Sequence, residues 1–255
     1  MIVPESSTRV PCVSDTQSDT STPQGTVPRN VGRKFHANGQ VRSFAGSTII
    51  AHLPQQDRGF ATFDAFLDIY RELPGHVFTP KLALLPTSSY HMTIFSGPTD
   101  QDRDRSPWPA DLDKSAPIEA CTRLMAERLK GFRLDCALPL RMRIDTAYAS
   151  GNVSPVTIHL QPLDAQEAHK LRHLRDRLAD TLNIRTADHD AYRFHITIAY
   201  QIAWFTSDEQ EAFRRALADW RGRLSRSCPV IEFGAPEFCV FRDMFAFQTL
   251  FRLTD

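Results

Sequence analysis

The segment 193–200 (Arg-Phe-His-Ile-Thr-Ile-Ala-Tyr) alternates polar and large apolar side chains with the two-residue period of a β-strand. Arg193, His195 and Thr197 therefore share one face of the predicted strand. Phenylalanine and isoleucine side chains occupy the other face, which we expect to pack on a core. A histidine and a threonine on the polar face of an otherwise apolar strand form a specific arrangement that indicates a functional site.

The segment 90–95 (Tyr-His-Met-Thr-Ile-Phe) repeats this arrangement, with His91 and Thr93 on one face. A single His-x-Thr tripeptide has little meaning, because short matches arise by chance. Two copies on apolar strands, about half a domain apart, indicate a shared site. The alternative is a pair of strand histidines with only local hydrogen bonds, which the matching surroundings of the two motifs disfavour.

The periodicity of the remaining chain places the two motifs in similar surroundings. Each half is predicted to run strand, helix, His-x-Thr strand, helix, strand. The predicted strands cover 47–53, 90–95, 138–149, 156–160, 193–200, 237–242 and 245–253, and the predicted helices cover 60–73, 117–130, 164–182 and 207–224. This order predicts an α+β fold with two lobes of antiparallel sheet and helices outside. A pseudo-twofold axis between the lobes would bring the two His-x-Thr strands side by side in a central cleft.

The domain organisation follows from a change in composition near residue 30. Residues 1–30 are rich in Ser, Thr, Pro, Asp and Gln and poor in large apolar side chains, so we predict a disordered tail. Residues 31–255 are predicted to form a single bilobal domain, with lobes of roughly 31–150 and 151–255. An Asn38-Gly39 pair between short flanking segments predicts a hairpin near the start of this domain.

Charge and cysteine content narrow the range of partners. Thirty basic and thirty acidic residues give a formal net charge of zero, which argues against non-specific binding of long nucleic acid. The five cysteines are an odd number and form no Cys-x-x-Cys pair, as is typical of a reducing compartment. The apolar runs are strand-sized and no signal-peptide pattern is visible. We therefore expect a cytoplasmic monomer with no membrane partner.

Other candidate chemistry is weaker. His169 and His173 have a metal-compatible i, i+4 spacing, but their charged neighbours favour a solvated helix face. His52 and His159 lie in matching strands, and we interpret both as structural, with a place lining the cleft as the alternative. The chain contains no phosphate-binding loop, no nucleophile elbow and no dinucleotide-binding glycine pattern. The sequence thus predicts neither a metal nor a cofactor.

The two motifs, His91-Met92-Thr93 and His195-Ile196-Thr197, resemble those of the two-histidine phosphoesterase superfamily, which includes LigT-like RNA ligase/cyclic phosphodiesterases. The resemblance covers roughly residues 32–255. The region 34–36 and the closing hairpin 238–253 look like those of a less characterised branch. The resemblance implies a bilobal α+β fold with paired His-x-Thr strands.

The resemblance also implies a metal-independent phosphodiesterase that opens a 2′,3′-cyclic phosphate of a nucleotide or an RNA end. The two histidines would act as general acid and base, since an unperturbed pKa of about 6.5 allows one neutral and one protonated imidazole. The two motif threonines would donate hydrogen bonds to the phosphate oxygens. The catalytic set is then His91, Thr93, His195 and Thr197.

Strand parity adds three candidate substrate-binding residues. Arg193 shares the face of His195 and can neutralise phosphate charge, although a solvent-facing arginine is equally compatible with its position. Ser89 and Phe95 share the face of His91, and Phe95 can stack on a base or simply pack at the strand end. By the same parity, Tyr90 and Tyr200 are predicted to lie in the core unless a bulge shifts them.

Two alternatives stay open at this point. The paired histidines can serve other acid–base chemistry on a small molecule. The protein can also bind a nucleotide or RNA end without catalysis, although a pure binder does not need two titratable groups. The sequence leaves the natural substrate, the acid and base assignment, and the choice between hydrolysis and ligation undecided.

Overall fold

The structure is a computed structural model and describes residues 25–101, 103–104, 106–148 and 155–255. These residues form an α+β domain of nine strands and four α-helices. The strands are β1 (Gly46–His52), β2 (Leu82–Leu84), β3 (His91–Phe95), β4 (Leu140–Ile144), β5 (Val156–Pro162), β6 (His195–Gln201), β7 (Ile231–Phe233), β8 (Glu237–Phe241) and β9 (Gln248–Arg252). The helices are α1 (Phe60–Glu72), α2 (Ile118–Leu129), α3 (Ala165–Leu182) and α4 (Ser207–Ser227).

The sheet brings the two motif strands together. Its order is β7-β4-β5-β6-β3-β1-β8-β9, with β2 pairing separately with β6, and its named strand pairs are all antiparallel. β3 and β6 are neighbours at the centre, where Met92 lies opposite Ile196. The predicted α+β fold with antiparallel sheet is confirmed, and so is the adjacency of the two His-x-Thr strands.

Strands from the two halves of the sequence are interleaved in this sheet. β4, from the first half, pairs with β5, whereas β8, from the second half, pairs with β1. The short strand β2 also crosses over to pair with β6. The sheet therefore does not divide at residue 150, and the halves of the chain complete each other's side of the central pair.

Local sequence explains the helices that cover the sheet. The Asp164 carboxylate accepts a hydrogen bond from the Glu167 backbone N–H and caps α3. The buried leucines of α3 recur every three or four residues, so one face of the helix packs on the sheet: Leu171, Leu174, Leu178 and Leu182. Among the described residues, no helix has the length and apolar character needed to span a membrane.

The described part of the chain begins within the predicted tail. Residues 1–24 lie outside the described residues, so the prediction of disorder is not tested there. Residues 25–30 are described and contact the domain: the Trp204 indole Nε1–H donates to the Gly25 carbonyl at 2.9 Å, and Asn30 is buried. The Asn38-Gly39 turn follows, with Gly39 at a φ of 84° that favours glycine.

Candidate active site

His91 and His195 are held in the same way on adjacent strands. Nδ1 of His91 lies 2.6 Å from the Ser89 carbonyl oxygen, and Nδ1 of His195 lies 3.0 Å from the Arg193 carbonyl oxygen. Because a carbonyl can only accept, this geometry assigns the proton of each neutral ring to Nδ1. Nε2 is then the basic atom of each imidazole. In both cases the carbonyl that orients the ring belongs to the residue two positions earlier in the chain.

Burial keeps both imidazoles neutral in the free protein. Desolvation lowers the pKa of His91 to about 4, and the nearby positive charges of His52, His195 and Lys34 act in the same direction. Desolvation also lowers the pKa of His195, again with a contribution from Lys34. Two neutral imidazoles at neutral pH can accept a proton, and an anion bound between them would raise the pKa of both.

Both motifs are followed by a β-bulge directly after the threonine. In β3 the partners change from Ile50↔Thr93 to Ile49↔Phe95, which leaves Ile94 as an extra residue. In β6 the partners change from Thr157↔Thr197 to Val156↔Ala199, which leaves Ile198 as an extra residue. A bulge moves every later side chain to the opposite face of the strand.

The bulge in β3 overturns the prediction for Phe95. Simple alternation places Phe95 beside His91, but its partner Ile49 lies on the opposite face of β1 from His52. The ring is only 2% exposed, lies 6.3 Å from the His189 ring and contacts the Arg175 guanidinium. Phe95 is therefore a core residue and not a stacking surface for a base.

The bulge in β6 has the converse effect on Tyr200. Uninterrupted alternation would place Tyr200 on the face opposite His195, whereas the extra residue turns it to the face of His195, where it is buried as predicted. Its phenol oxygen accepts a hydrogen bond from Lys34 Nζ at 3.0 Å. Lys34 lies on the loop before β1, so strand patterns gave no sign that it approaches the two histidines.

The other predicted site residues have separate surroundings. The Ser89 hydroxyl is buried and donates to the Pro86 carbonyl at 2.7 Å, so Ser89 contributes through its backbone. The exposed Arg193 guanidinium lies 4.9 Å from the Tyr148 ring centroid. The Thr93 hydroxyl lies near the Tyr192 hydroxyl, and Thr197 lies across from Thr157. The four motif residues thus meet on one face, with Arg193 at its edge.

Two further histidines extend this face, although the sequence favoured a structural role for both over a place lining the cleft. His52 lies across from His91 with ring centroids 6.3 Å apart, and His159 lies across from His195 with centroids 5.6 Å apart. Four histidines therefore lie on one face of β1, β3, β6 and β5, in two pairs that are offset along the strands because the Met92↔Ile196 register places His91 opposite Thr197. We call these four residues the histidine row. Burial lowers the pKa of His159 to about 4, helped by the charge of His195.

Potential metal ligands cluster in two places among the described residues. Ligand atoms of His52, Glu237 and Cys239 lie within 4.8 Å of one another, as do those of Asp176, His189 and Asp190. In the first cluster, Glu237 already accepts hydrogen bonds from Thr249 and His52. His169 and His173 are exposed on α3, as the sequence predicted.

The lowered pKa values predict an acid-sensitive fold. Since His91 titrates near pH 4 when folded and ~6.5 when unfolded, the unfolded chain binds more protons between these values, and stability falls as the pH falls. Between about pH 7.5 and about pH 5 the free energy of unfolding should fall by about 2 kcal/mol less in His91→Gln than in the wild type. Urea unfolding at both pH values measures this difference. Equal losses in the two proteins would contradict it.

Comparison with known proteins agrees with this geometry. Residues 34–153, which include the first motif, match the family model described as 2H-phosphodiest, domain of unknown function (DUF1868). The crystal structure of a conserved protein of unknown function from Agrobacterium tumefaciens str. C58 is similar, with a TM-score of 0.81, 29% identity, and coverage of 91% of this chain and 96% of that chain. No curated protein matches the chain at a significant level. Residues 34–153 are therefore similar to the 2H phosphoesterase-like family.

Proposed function

We propose that the protein is a metal-independent phosphodiesterase that opens a 2′,3′-cyclic phosphate of a nucleotide or an RNA end. One observation carries the proposal. His91 and His195 lie on adjacent antiparallel strands, each with Nδ1 fixed by a carbonyl and each followed by a threonine on the same face. Paired imidazoles held with Nε2 free are suited to moving two protons at one phosphorus atom.

The reaction needs one proton removed and one proton supplied. Nε2 of one neutral histidine accepts a proton from water as the water oxygen attacks phosphorus. The bond from phosphorus to the ribose 2′ or 3′ oxygen then breaks, and the second histidine, in its imidazolium form, donates a proton to that oxygen. The net change is addition of water, which leaves a ribose phosphate monoester and returns the pair to its initial protonation after proton exchange.

The substrate itself supplies the required protonation state. Both histidines have lowered pKa values in the free protein, so neither is a ready acid there. The negative charge of a bound cyclic phosphate favours an imidazolium beside it and raises the histidine pKa. The hydroxyls of Thr93 and Thr197 lie on the same face and can donate to the non-bridging oxygens as negative charge develops.

Turnover of 2′,3′-cyclic nucleotides in EDTA tests the proposal directly. We expect hydrolysis to persist in EDTA and to give one monophosphate isomer, because a fixed acid protonates a fixed ribose oxygen. The double variant His91→Gln/His195→Gln controls for contaminating phosphodiesterases. Phosphorus-31 NMR distinguishes the 2′ and 3′ products and thereby identifies which oxygen is protonated.

Three outcomes would redirect the assignment. Loss of turnover in EDTA would point to a metal, with the His52, Glu237 and Cys239 cluster beside His91 as the first place to look. Ligand binding without turnover would favour a nucleotide or RNA-end binding protein. Neither binding nor turnover on cyclic nucleotides or RNA ends would favour acid–base chemistry on another small molecule.

A further inference from the structure

We propose that Lys34 binds the anionic group of the ligand on the histidine row, which makes the loop before β1 part of the active site. The identity of that group as a phosphate rests on the proposed function. The presence of an anion site does not, because it follows from the surroundings of Lys34 itself. Neither the motif strands nor the resemblance assigns a role to this residue.

Aromatic rings and one hydroxyl hold the Lys34 ammonium in place. Nζ lies 3.0 Å from the Tyr200 phenol oxygen, 4.9 Å from the Tyr200 ring centroid and 5.1 Å from the Phe44 ring centroid. Phe44 is buried and Tyr200 is 7% exposed, so these contacts restrict the side chain. The bulge at Ile198 aims Tyr200, and therefore Lys34, towards the face of His195.

The ammonium lacks a negative partner among the residues that the structure describes. A half-buried cation that contacts only rings and a phenol is partly desolvated without an opposing charge. It is also close enough to lower the pKa of both His91 and His195. Glu237, the carboxylate that contacts His52, is already bound by Thr249 and Arg252. An anion from outside the chain would complete this charge arrangement.

The loop that carries Lys34 is anchored at both ends. At one end, the Asn30 carbonyl accepts hydrogen bonds from backbone N–H groups of the next turn, including the Lys34 N–H at 3.0 Å. At the other end, the Arg42 N–H donates to the Lys34 carbonyl at 2.8 Å. The Gly25 carbonyl is bound by Trp204. A lysine positioned by such a loop loses little additional conformational freedom when it binds a ligand.

A phosphate group fits this site best. Lys34 and, once protonated, the two histidines bring three nitrogen donors towards one face, and lysine is a compact point charge suited to a phosphate oxygen. A bound phosphate would also screen the ammonium from the histidines and raise their pKa values. Binding should therefore be coupled to proton uptake, and Lys34 should contribute to both effects.

The test compares Lys34→Met with Lys130→Met. Lys130 is an exposed residue beyond the C-terminal end of α2, and its ammonium pairs with Glu127. Inorganic phosphate and adenosine 3′-monophosphate are titrated calorimetrically in two buffers of different ionisation enthalpy. We expect Lys34→Met to weaken binding of both roughly 10- to 100-fold and to reduce proton uptake, with Lys130→Met unchanged. Lys34→Arg should recover part of the affinity.

The outcomes separate this proposal from the reaction. If phosphate binds wild type and Lys34→Met equally, or binds neither, Lys34 is not the anion-binding residue, whatever the turnover. If binding depends on Lys34 but cyclic nucleotides are not hydrolysed, the proposed reaction is wrong and the anion site stands. Circular dichroism of Lys34→Met and Lys34→Arg checks that the loss of charge, rather than of folding, causes the change.

Discussion

Replacing His91 or His195 by glutamine is expected to lower kcat on a 2′,3′-cyclic nucleotide by roughly 10²–10⁴-fold. Glutamine retains a hydrogen-bonding end but cannot accept or donate a proton near neutral pH. Nδ1 of His91 lies 2.6 Å from the Ser89 carbonyl oxygen, and Nδ1 of His195 lies 3.0 Å from the Arg193 carbonyl oxygen. Because each ring is held separately, neither can take over the position of the other. KM should change much less than kcat, since the loss is in proton transfer.

Steady-state kinetics of the two single variants, the double variant and a control measure this expectation. His169→Gln is the matched control, because His169 is exposed on α3 and away from the histidine row. The double variant should lose little more than the worse single variant, because residues that act as a unit are not additive. A variant that keeps more than a tenth of wild-type kcat would exclude its histidine from proton transfer.

Alternating side chains explain why much of this site could be predicted from the sequence. His195 and Thr197 share a face because the period of a strand is two, and their apolar neighbours Ile196 and Ile198 are fully buried. The repeat of the motif in β3 was enough to predict that the two strands pair. Helix α3 could also be predicted from the sequence, since its capping residue and its leucine stripe are local features.

Alternation along a strand no longer predicts the direction of a side chain beyond a β-bulge. Whether a strand carries an extra residue depends on the partner strand, and nothing in residues 90–95 alone distinguishes a regular end from a bulge at Ile94. The prediction that Phe95 shares the face of His91 was wrong for this reason. Tyr200 is buried as predicted, but its place on the face of His195 follows from the second bulge, and its contact with Lys34 depends on how a loop far away in sequence folds back.

The interleaving of the two halves has a similar origin. Strands β2 and β7 are three residues long, which is too short to show a period. Their partners, β6 and β4, are distant in sequence. Local patterns therefore gave the order of elements but not the exchange of strands between the halves, which only the pairing of the sheet reveals.

Replacing Gly97 by alanine should lower the free energy of unfolding by about 3 kcal/mol, because the added methyl group meets backbone rather than a movable side chain. Gly97 lies just after β3, and a Cβ atom there would overlap the Ser47 carbonyl oxygen and lie 2.9 Å from its carbon. Ser47 is fully buried in β1. The clash can be relieved only if the two strands move apart.

The matched control is Gly75→Ala, since a Cβ at Gly75 has no heavy atom within 4 Å and no positive φ to oppose it. Its effect should stay within about 0.5 kcal/mol. Urea unfolding measures the free energy of unfolding of the two variants. Similar losses would show that the close approach of Gly97 to β1 does not exclude a side chain at position 97. Separation of β1 from β3 would also move His52 away from His91. A stable Gly97→Ala protein with reduced kcat would therefore show that β1 positions the histidine row, whereas an unstable protein with unchanged kcat would confine Gly97 to folding.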